Sequence, residues 1–317
     1  MSVSKLLSRV VTPDLQAPSD FNSVRRGRDE VAAEIHNFTH GIASDPMVSF
    51  AITFSALIHD VDHRGVSNVQ LAKEDPEMGT RYREKSVAEQ NSLDIAWDVL
   101  MSTRFVNLRK FAFGTKQEML RFRQLIVNIV LATDIFDKEL GQLRKDRWER
   151  AFHRDANLSS SMKNDLRATI VMEHIIQASD VSHTMQHWHV YQKWNRKLFT
   201  EMYQAWKGGR MGADPRTFWY QGEIGFFDNY VIPLAKKLKE CNVFGVSSDE
   251  YLGYALKNKE EWAERGEEIL KNLIHSQEQE LGEKKEQPLT ADPGPSSERR
   301  LDDAGSTKSD SLSTAFA

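Results

Sequence analysis

Apolar residues recur at three- and four-residue spacing along most of this chain, and strict alternation is rare. That pattern predicts helices over 46–60, 84–101, 115–135, 137–153, 159–180, 187–207, 216–240 and 248–276, with no sheet of consequence. A short amphipathic segment, 1–11, puts Val3, Leu6, Leu7, Val10 and Val11 on one side and ends at Thr12-Pro13. Residues 14–30 are polar, basic at Arg25, Arg26 and Arg28, and predict a loop. Ser44-Asp45-Pro46 is a strong helix start, a capping side chain followed by proline in the first turn. The helix behind it is apolar almost all round, the mark of a helix buried within a larger bundle. From Gln277 onward little can be buried, so 277–317 is expected as a disordered acidic and polar tail. The fold class that follows is all-α, a compact multi-helix bundle over residues 1–276.

Composition narrows the partners. A net charge of −4 supplies no basic field for a nucleic-acid backbone. The single cysteine, Cys241, cannot form an internal disulfide and indicates a reducing compartment. No apolar run approaches the length of a membrane span, and the first residues are too polar for a secretory leader. These readings place the chain in the cytoplasm, with no membrane segment, no nucleic-acid partner and an open oligomeric state.

The chemistry concentrates where the most apolar helix ends, in Ala56-Leu57-Ile58-His59-Asp60-Val61-Asp62-His63-Arg64-Gly65-Val66-Ser67-Asn68. Imidazole and carboxylate groups are costly to bury unpaired, so their place at the end of a core helix implies a cation or a reacting group. The plain alternative is a polar helix terminus stopped by Gly65. A second apolar run, Ala168 to Ala178, delivers Asp180 in the same way. Taken alone, Asp180 reads as an ordinary helix-end acid; beside His59 and Asp60 it completes a nitrogen and oxygen donor set suited to Zn²⁺ or a mixed dimetal centre.

Residues 51–68 resemble the His-Asp signature of class I 3′,5′-cyclic-nucleotide phosphodiesterases, a helical metallohydrolase family. Ser86-Val-Ala-Glu89, Ile129-Val-Leu-Ala-Thr133-Asp134 and Gln177-Ala-Ser-Asp180-Val-Ser match it in order. Gly225-Phe226-Phe-Asp228-Asn-Tyr-Val-Ile-Pro-Leu234 resembles its purine-binding stretch. The resemblance implies His59, Asp60 and Asp180 as ligands of two divalent cations, Zn²⁺ with Mg²⁺ or Mn²⁺, and Asp60 as the bridge. It implies His63 on the phosphate or a bound water, Glu89 behind the metals, Thr133 near the second cation, and Phe226 against the base. Read without it, Phe226 is a core ring, Glu89 a first-turn acid and Thr133 a hydroxyl bonded to backbone.

Three departures limit the likeness. Glu223 stands where the family places a glutamine on the purine edge, and an ionised carboxylate only accepts hydrogen bonds. His183 stands where an asparagine is common. The family's upstream His-Asn-x-x-His motif has a look-alike in His36-Asn37-Phe38-Thr39-His40, yet Met1 to Arg9 resembles what normally follows that motif, so the expectation is that the family's pair would fall before Met1 and the first helices of the domain would be absent. Reach agrees. Asp45 to His59 is 14 helical steps, roughly 21 Å, whereas the five residues from His40 to Asp45 extend at most about 18 Å. His40 could meet His59 only by doubling straight back at Gly41, and His36 has somewhat more reach. The expectation is metal-dependent hydrolysis of cyclic AMP or cyclic GMP to the 5′-nucleotide, weakened by loss of the upstream histidines. The alternatives are a fragment that binds nucleotide or a partner without turnover, and a more general His-Asp nucleotide phosphohydrolase.

Overall fold

The computed structural model describes residues 3–10, 28–154, 158–245 and 247–286. Its helices are α1 (Val3–Leu7), α2 (Arg28–Phe38), α3 (Pro46–Ile58), α4 (Asn68–Glu74), α5 (Pro76–Arg81), α6 (Val87–Met101) and α7 (Val106–Ala112). There follow α8 (Lys116–Leu131), α9 (Lys138–Glu149), α10 (Ser160–Asp180), α11 (Trp188–Lys207), α12 (Pro215–Phe226), α13 (Ile232–Glu240) and α14 (Ser247–Glu286). No strand occurs among the described residues, so the all-α expectation holds. The chain divides into two units, Met1–Gln277 and Glu278–Ala317.

Local chemistry sets the helix starts. Asp45 accepts from the amides of Met47 and Val48, with Pro46 in the first turn of α3. Thr115 and Glu118 form a capping box at α8, and Ser159 caps α10 through the Met162 amide. The core lies where α3, α8 and α10 meet: Ala51, Ile52, Phe122, Ile126, Val130, Val171 and Ile175 are all buried. Phe122 stacks on Phe50 at 4.9 Å and meets Phe54 at 5.6 Å, which locks α8 to α3. A buried Glu173 accepts from Arg147 and ties α9 to α10.

These three helices run in the same direction. At one end Arg121 of α8 donates to Asp45 at the start of α3, 2.6 Å away. At the other, Gln177 of α10 donates to the carbonyl of Ala132 just past α8, 2.8 Å away, and Asp180 reaches His59 just past α3. All three C-termini therefore converge, and α6 enters that end with its N-terminus.

Several predicted boundaries move. The predicted loop 14–30 ends early because α2 begins at Arg28, its Ala32-Ala33-Glu34 being strong helix formers; residues 14–27 and the Val11 to Pro13 stop lie outside the described residues. The expected helix 84–101 starts only at Val87, since Arg83, Glu84 and Ser86 adopt positive φ. Helix 216–240 is continuous but contains a π-turn at Phe227–Val231. The last helix continues to Glu286, ten residues past its predicted end, through a run rich in the helix formers Glu, Gln and Lys. The rest of the predicted tail, 287–317, lies outside the described residues.

Candidate metal centre

His59 occupies the C-cap of α3, still in helical conformation, with its amide bonded to the Ser55 carbonyl at 2.9 Å. Its Nδ1 lies 3.1 Å from the Ala56 carbonyl and donates to it, which turns Nε2 outward. Beyond His59 the chain reverses through Asp62 at φ 61° and Gly65 at φ 69°. Gly65 has a second reason to be glycine: a Cβ there would come within 3.0 Å of a Glu201 oxygen. Asn91 donates to Asp62 at 3.1 Å and Ser92 to the Val61 carbonyl at 2.7 Å, so α6 holds the reversal in place.

Asp180 is the last residue of α10, and α8 pins that helix end through Gln177. His59 Nε2 lies 3.2 Å from Asp60 Oδ2 and 3.5 Å from Asp180 Oδ1. One donor atom from each residue falls within 4.8 Å of the other two. Neither approach has hydrogen-bond geometry, and Nε2 is buried without a hydrogen-bond partner. An orphaned imidazole nitrogen between two carboxylates that solvent ions can reach is what a divalent cation fits, and the nitrogen and oxygen donors suit zinc or a harder metal. Electrostatics agree. Burial disfavours charge on His59, yet Asp180 and Asp60 outweigh it and raise its pKa to about 10. The His59 imidazole 3.2 Å away, opposed by burial, holds Asp60 below the usual carboxylate range. Two helix C-termini add partial negative charge at the same point.

A second set of groups stands behind this cluster. Asn68 donates through Nδ2 to Glu89 at 3.0 Å and to Asp134 at 3.2 Å, and accepts the Ala88 amide at 2.8 Å. Asp134 also accepts from Ser86 Oγ at 2.8 Å and from the amides of Phe136 and Asp137, both at 3.1 Å. Burial raises the pKa of Glu89, opposed by the Asn68 amide. His63 is exposed and accepts the Gly65 amide at Nδ1, leaving Nε2 to carry the proton of a neutral ring. Thr133 donates to the Val130 carbonyl at 2.7 Å.

Glu223 and Phe226 share one face of α12. Glu223 accepts from the buried Tyr191 hydroxyl at 2.6 Å, and burial raises its pKa against that hydrogen bond. Phe226 lies against Tyr230 with ring centres 5.4 Å apart, and burial, with the Asp180 charge adding to it, raises the pKa of the Tyr230 hydroxyl. His183 is parallel to Tyr191 at 6.4 Å, and burial, partly offset by Asp180, lowers its pKa to about 4. Sequence reasoning missed Tyr191 and Asn195, which carry no motif and are joined by the Asn195 amide donating to the Tyr191 hydroxyl at 3.3 Å, and it gave no role to Tyr230 within the 225–234 stretch. Their one trace is that polar-tipped residues fall on otherwise apolar helix faces.

His36 and His40 sit elsewhere. His36 Nδ1 is 2.8 Å from Ser44 Oγ, and both rings line a cavity of about 410 Å³ with Asp45, Arg121, Ser160 and Asn164. That cavity lies at the N-termini of α3 and α10, the end opposite His59 and Asp180. Burial and the Arg167 guanidinium both lower the pKa of His40.

A family model for 3′5′-cyclic nucleotide phosphodiesterase matches residues 34–246, which contain every group just described. A probable 3′,5′-cyclic-AMP phosphodiesterase pde-4 of Caenorhabditis elegans is 26% identical over 220 residues, 64% of this chain and 32% of its own length. A dual specificity calcium/calmodulin-dependent 3′,5′-cyclic nucleotide phosphodiesterase 1B of Bos taurus is 26% identical over 194 residues, 58% of this chain and 33% of its own. The chain thus spans about a third of the length of these curated relatives. The crystal structure of the phosphodiesterase domain of the RhoPDE fusion protein from the choanoflagellate Salpingoeca rosetta superposes with a TM-score of 0.56 at 19% identity, covering 76% of this chain and 77% of that one. That likeness concerns the fold. With the family model covering well over half of the chain, and the His-Asp helix, Glu89, Asp134 and Asp180 all inside it, this chain belongs to the 3′5′-cyclic nucleotide phosphodiesterase family.

Proposed function

We propose that the chain hydrolyses 3′,5′-cyclic nucleotides to 5′-nucleotides at the His59, Asp60 and Asp180 cluster, as a signalling enzyme of the cytoplasm. The observation that carries this reading is the orphaned His59 Nε2 between the two carboxylates, inside the matched segment. Two divalent cations, Zn²⁺ with Mg²⁺ or Mn²⁺, would be held there, and when bound they supply Lewis-acid activation of water and charge neutralisation on the phosphate. The chain's own groups do the rest. His63 offers an Nε2 proton toward the phosphate, while Glu89, fixed by Asn68, is a buried carboxyl able to hold or pass a proton. Phe226 provides a flat face for the base, and Glu223 meets the base edge with its carboxyl anchored by Tyr191. Cys241 is buried, its thiol pushed up to about 12, in keeping with a structural residue of a reducing compartment.

Hydrolysis of cyclic AMP and cyclic GMP, measured with Mg²⁺ and Zn²⁺ and again in EDTA, tests the reading. Metal-dependent release of 5′-nucleotide is expected, and His59→Ala removes it. A second reading, nucleotide binding without turnover, draws on the place of His36 and His40 at the far end of α3, where neither ring can serve as a general acid. Calorimetric binding of a nucleotide with no product formed would select it.

A further inference from the structure

The end of the bundle opposite the metal cluster carries a surface that phosphodiester hydrolysis does not use. α7 lies beyond the C-terminus of α6, whose fourteen steps from Val87 to Met101 span about 21 Å. Its inward contacts are accounted for. Arg109 donates to the carbonyls of Leu100 and Ser102 and closes the last turn of α6, and Phe113 meets Phe122 with ring centres 5.0 Å apart. Two apolar side chains of α7 remain outside: Phe111 is 91% exposed and Leu108 42%. These two are three residues apart and share one helix face, and Lys110 lies about 100° round the helix from Phe111. No residue of α7 is fully buried.

The charge of this segment runs against the rest of the molecule. Residues 99–117 contain Arg104, Arg109, Lys110 and Lys116 and no acid, in a chain of net charge −4. Arg104, Lys110 and Lys116 are exposed. The next acid along the chain, Glu118, turns its Oε2 onto the amides of Gly114 and Thr115 at 2.7 and 2.9 Å. On the other flank Asp98, the residue immediately before the segment, is exposed.

We propose that this α7 tip docks on the anionic headgroup layer of a lipid membrane, Leu108 and Phe111 entering the interface and Arg104, Lys110 and Lys116 lying over the headgroups. An aromatic and an aliphatic side chain exposed within a segment of exposed cations and no acid is the composition of interfacial anchors. A lipid surface suits the segment: its exposed cations complement anionic headgroups, and Phe111, 91% exposed, projects far enough to enter the interface. No helix among the described residues is long and apolar enough to cross a membrane, so the tip rests on the surface. α6 separates the tip from the metal cluster, which leaves the nucleotide site facing away from the lipid. The inference is independent of turnover.

Vesicle flotation of the full chain tests it, with phosphatidylcholine alone and with a phosphatidylcholine–phosphatidylserine mixture. Binding is expected only to the mixture, falling as salt screens the headgroups. Lys110→Ser and Lys116→Ser each lower the partition coefficient about fivefold, the equivalent of about 1 kcal/mol per cation. Phe111→Ser lowers it about tenfold or more. Thermal melts by circular dichroism confirm that each variant is folded, and the two lysine changes decide the matter should Phe111→Ser not be. Absence of binding to the mixture, equal binding to both vesicles, or unchanged binding by the variants overturns the proposal. So does retention on poly-glutamate beads without vesicle binding, which would assign the tip to an acidic protein.

Discussion

The two ends of the bundle treat charge in opposite ways. At the end where α3, α8 and α10 begin, Asp45, Thr115 with Glu118, and Ser159 each satisfy helix amides, and the acids sit where the helix dipole favours them. At the end where the same helices stop, Asp60, Asp134 and Asp180 gather against the dipole, and His59 Nε2 has no hydrogen-bond partner. One end follows the local rules of helix formation and the other breaks them. Local rules are broken where function requires it, and a cation is the partner that this donor set fits.

Four experiments would break or sharpen that contrast. Asp180→Ala should lower cyclic-nucleotide hydrolysis by roughly 10³-fold, about 4 kcal/mol in the barrier, while the melting temperature in EDTA stays level or rises because a carboxylate has left a helix C-terminus. A lower melting temperature in EDTA would mean that the site end is held by its acids rather than frustrated by them. Adding the preferred metal at about 100 times its dissociation constant should stabilise the native chain by about 2.7 kcal/mol against urea, and that gain should vanish in His59→Ala. At the opposite end, Asp45→Ala should cost about 1 kcal/mol and leave metal retention unchanged, as judged by metal content after gel filtration.

The smallest effect is the pH dependence of that cap. Burial alone would raise the Asp45 pKa, but the Arg121 guanidinium and the Val48 and Met47 amides outweigh it and the folded value is lowered. A lowered carboxylate pKa contributes stability above the unfolded value, about 3.9, and loses it as pH falls through the folded one. The gap in urea midpoint between the unmodified chain and Asp45→Asn, a few tenths of a kcal/mol near neutrality, should therefore close in acid. A gap that widens in acid would contradict the sign.

The parts legible in the sequence are those with a local cause. Asp45-Pro46 announced α3, and the apolar runs ahead of His59 and Asp180 announced buried helices with polar ends. The convergence of those ends was an inference from chemistry, which the parallel packing of α3 and α10 matches. The Asn68, Glu89 and Asp134 network was not legible as a network, because it joins side chains 21 and 66 residues apart with no periodic signal. Tyr191 and Glu223, 32 residues apart, escaped for the same reason. α2 was hidden because a basic flank reads as loop while its helical propensity lies in a few short residues. His40 stays beside the start of α3, where chain reach alone holds it.

The parallel course of α3 and α10 also fixes when the cluster can exist. His59 and Asp180 are 121 residues apart, so a chain emerging from the ribosome at 5–20 residues per second exposes His59 and Asp60 roughly 6 to 24 seconds before their third companion. Throughout that interval the α3 end offers a nascent chain only two of the three donors. A cation needing all three donors would therefore wait for a chain grown past Asp180, and a chain stalled before α10 would carry the His-Asp stretch without its third donor.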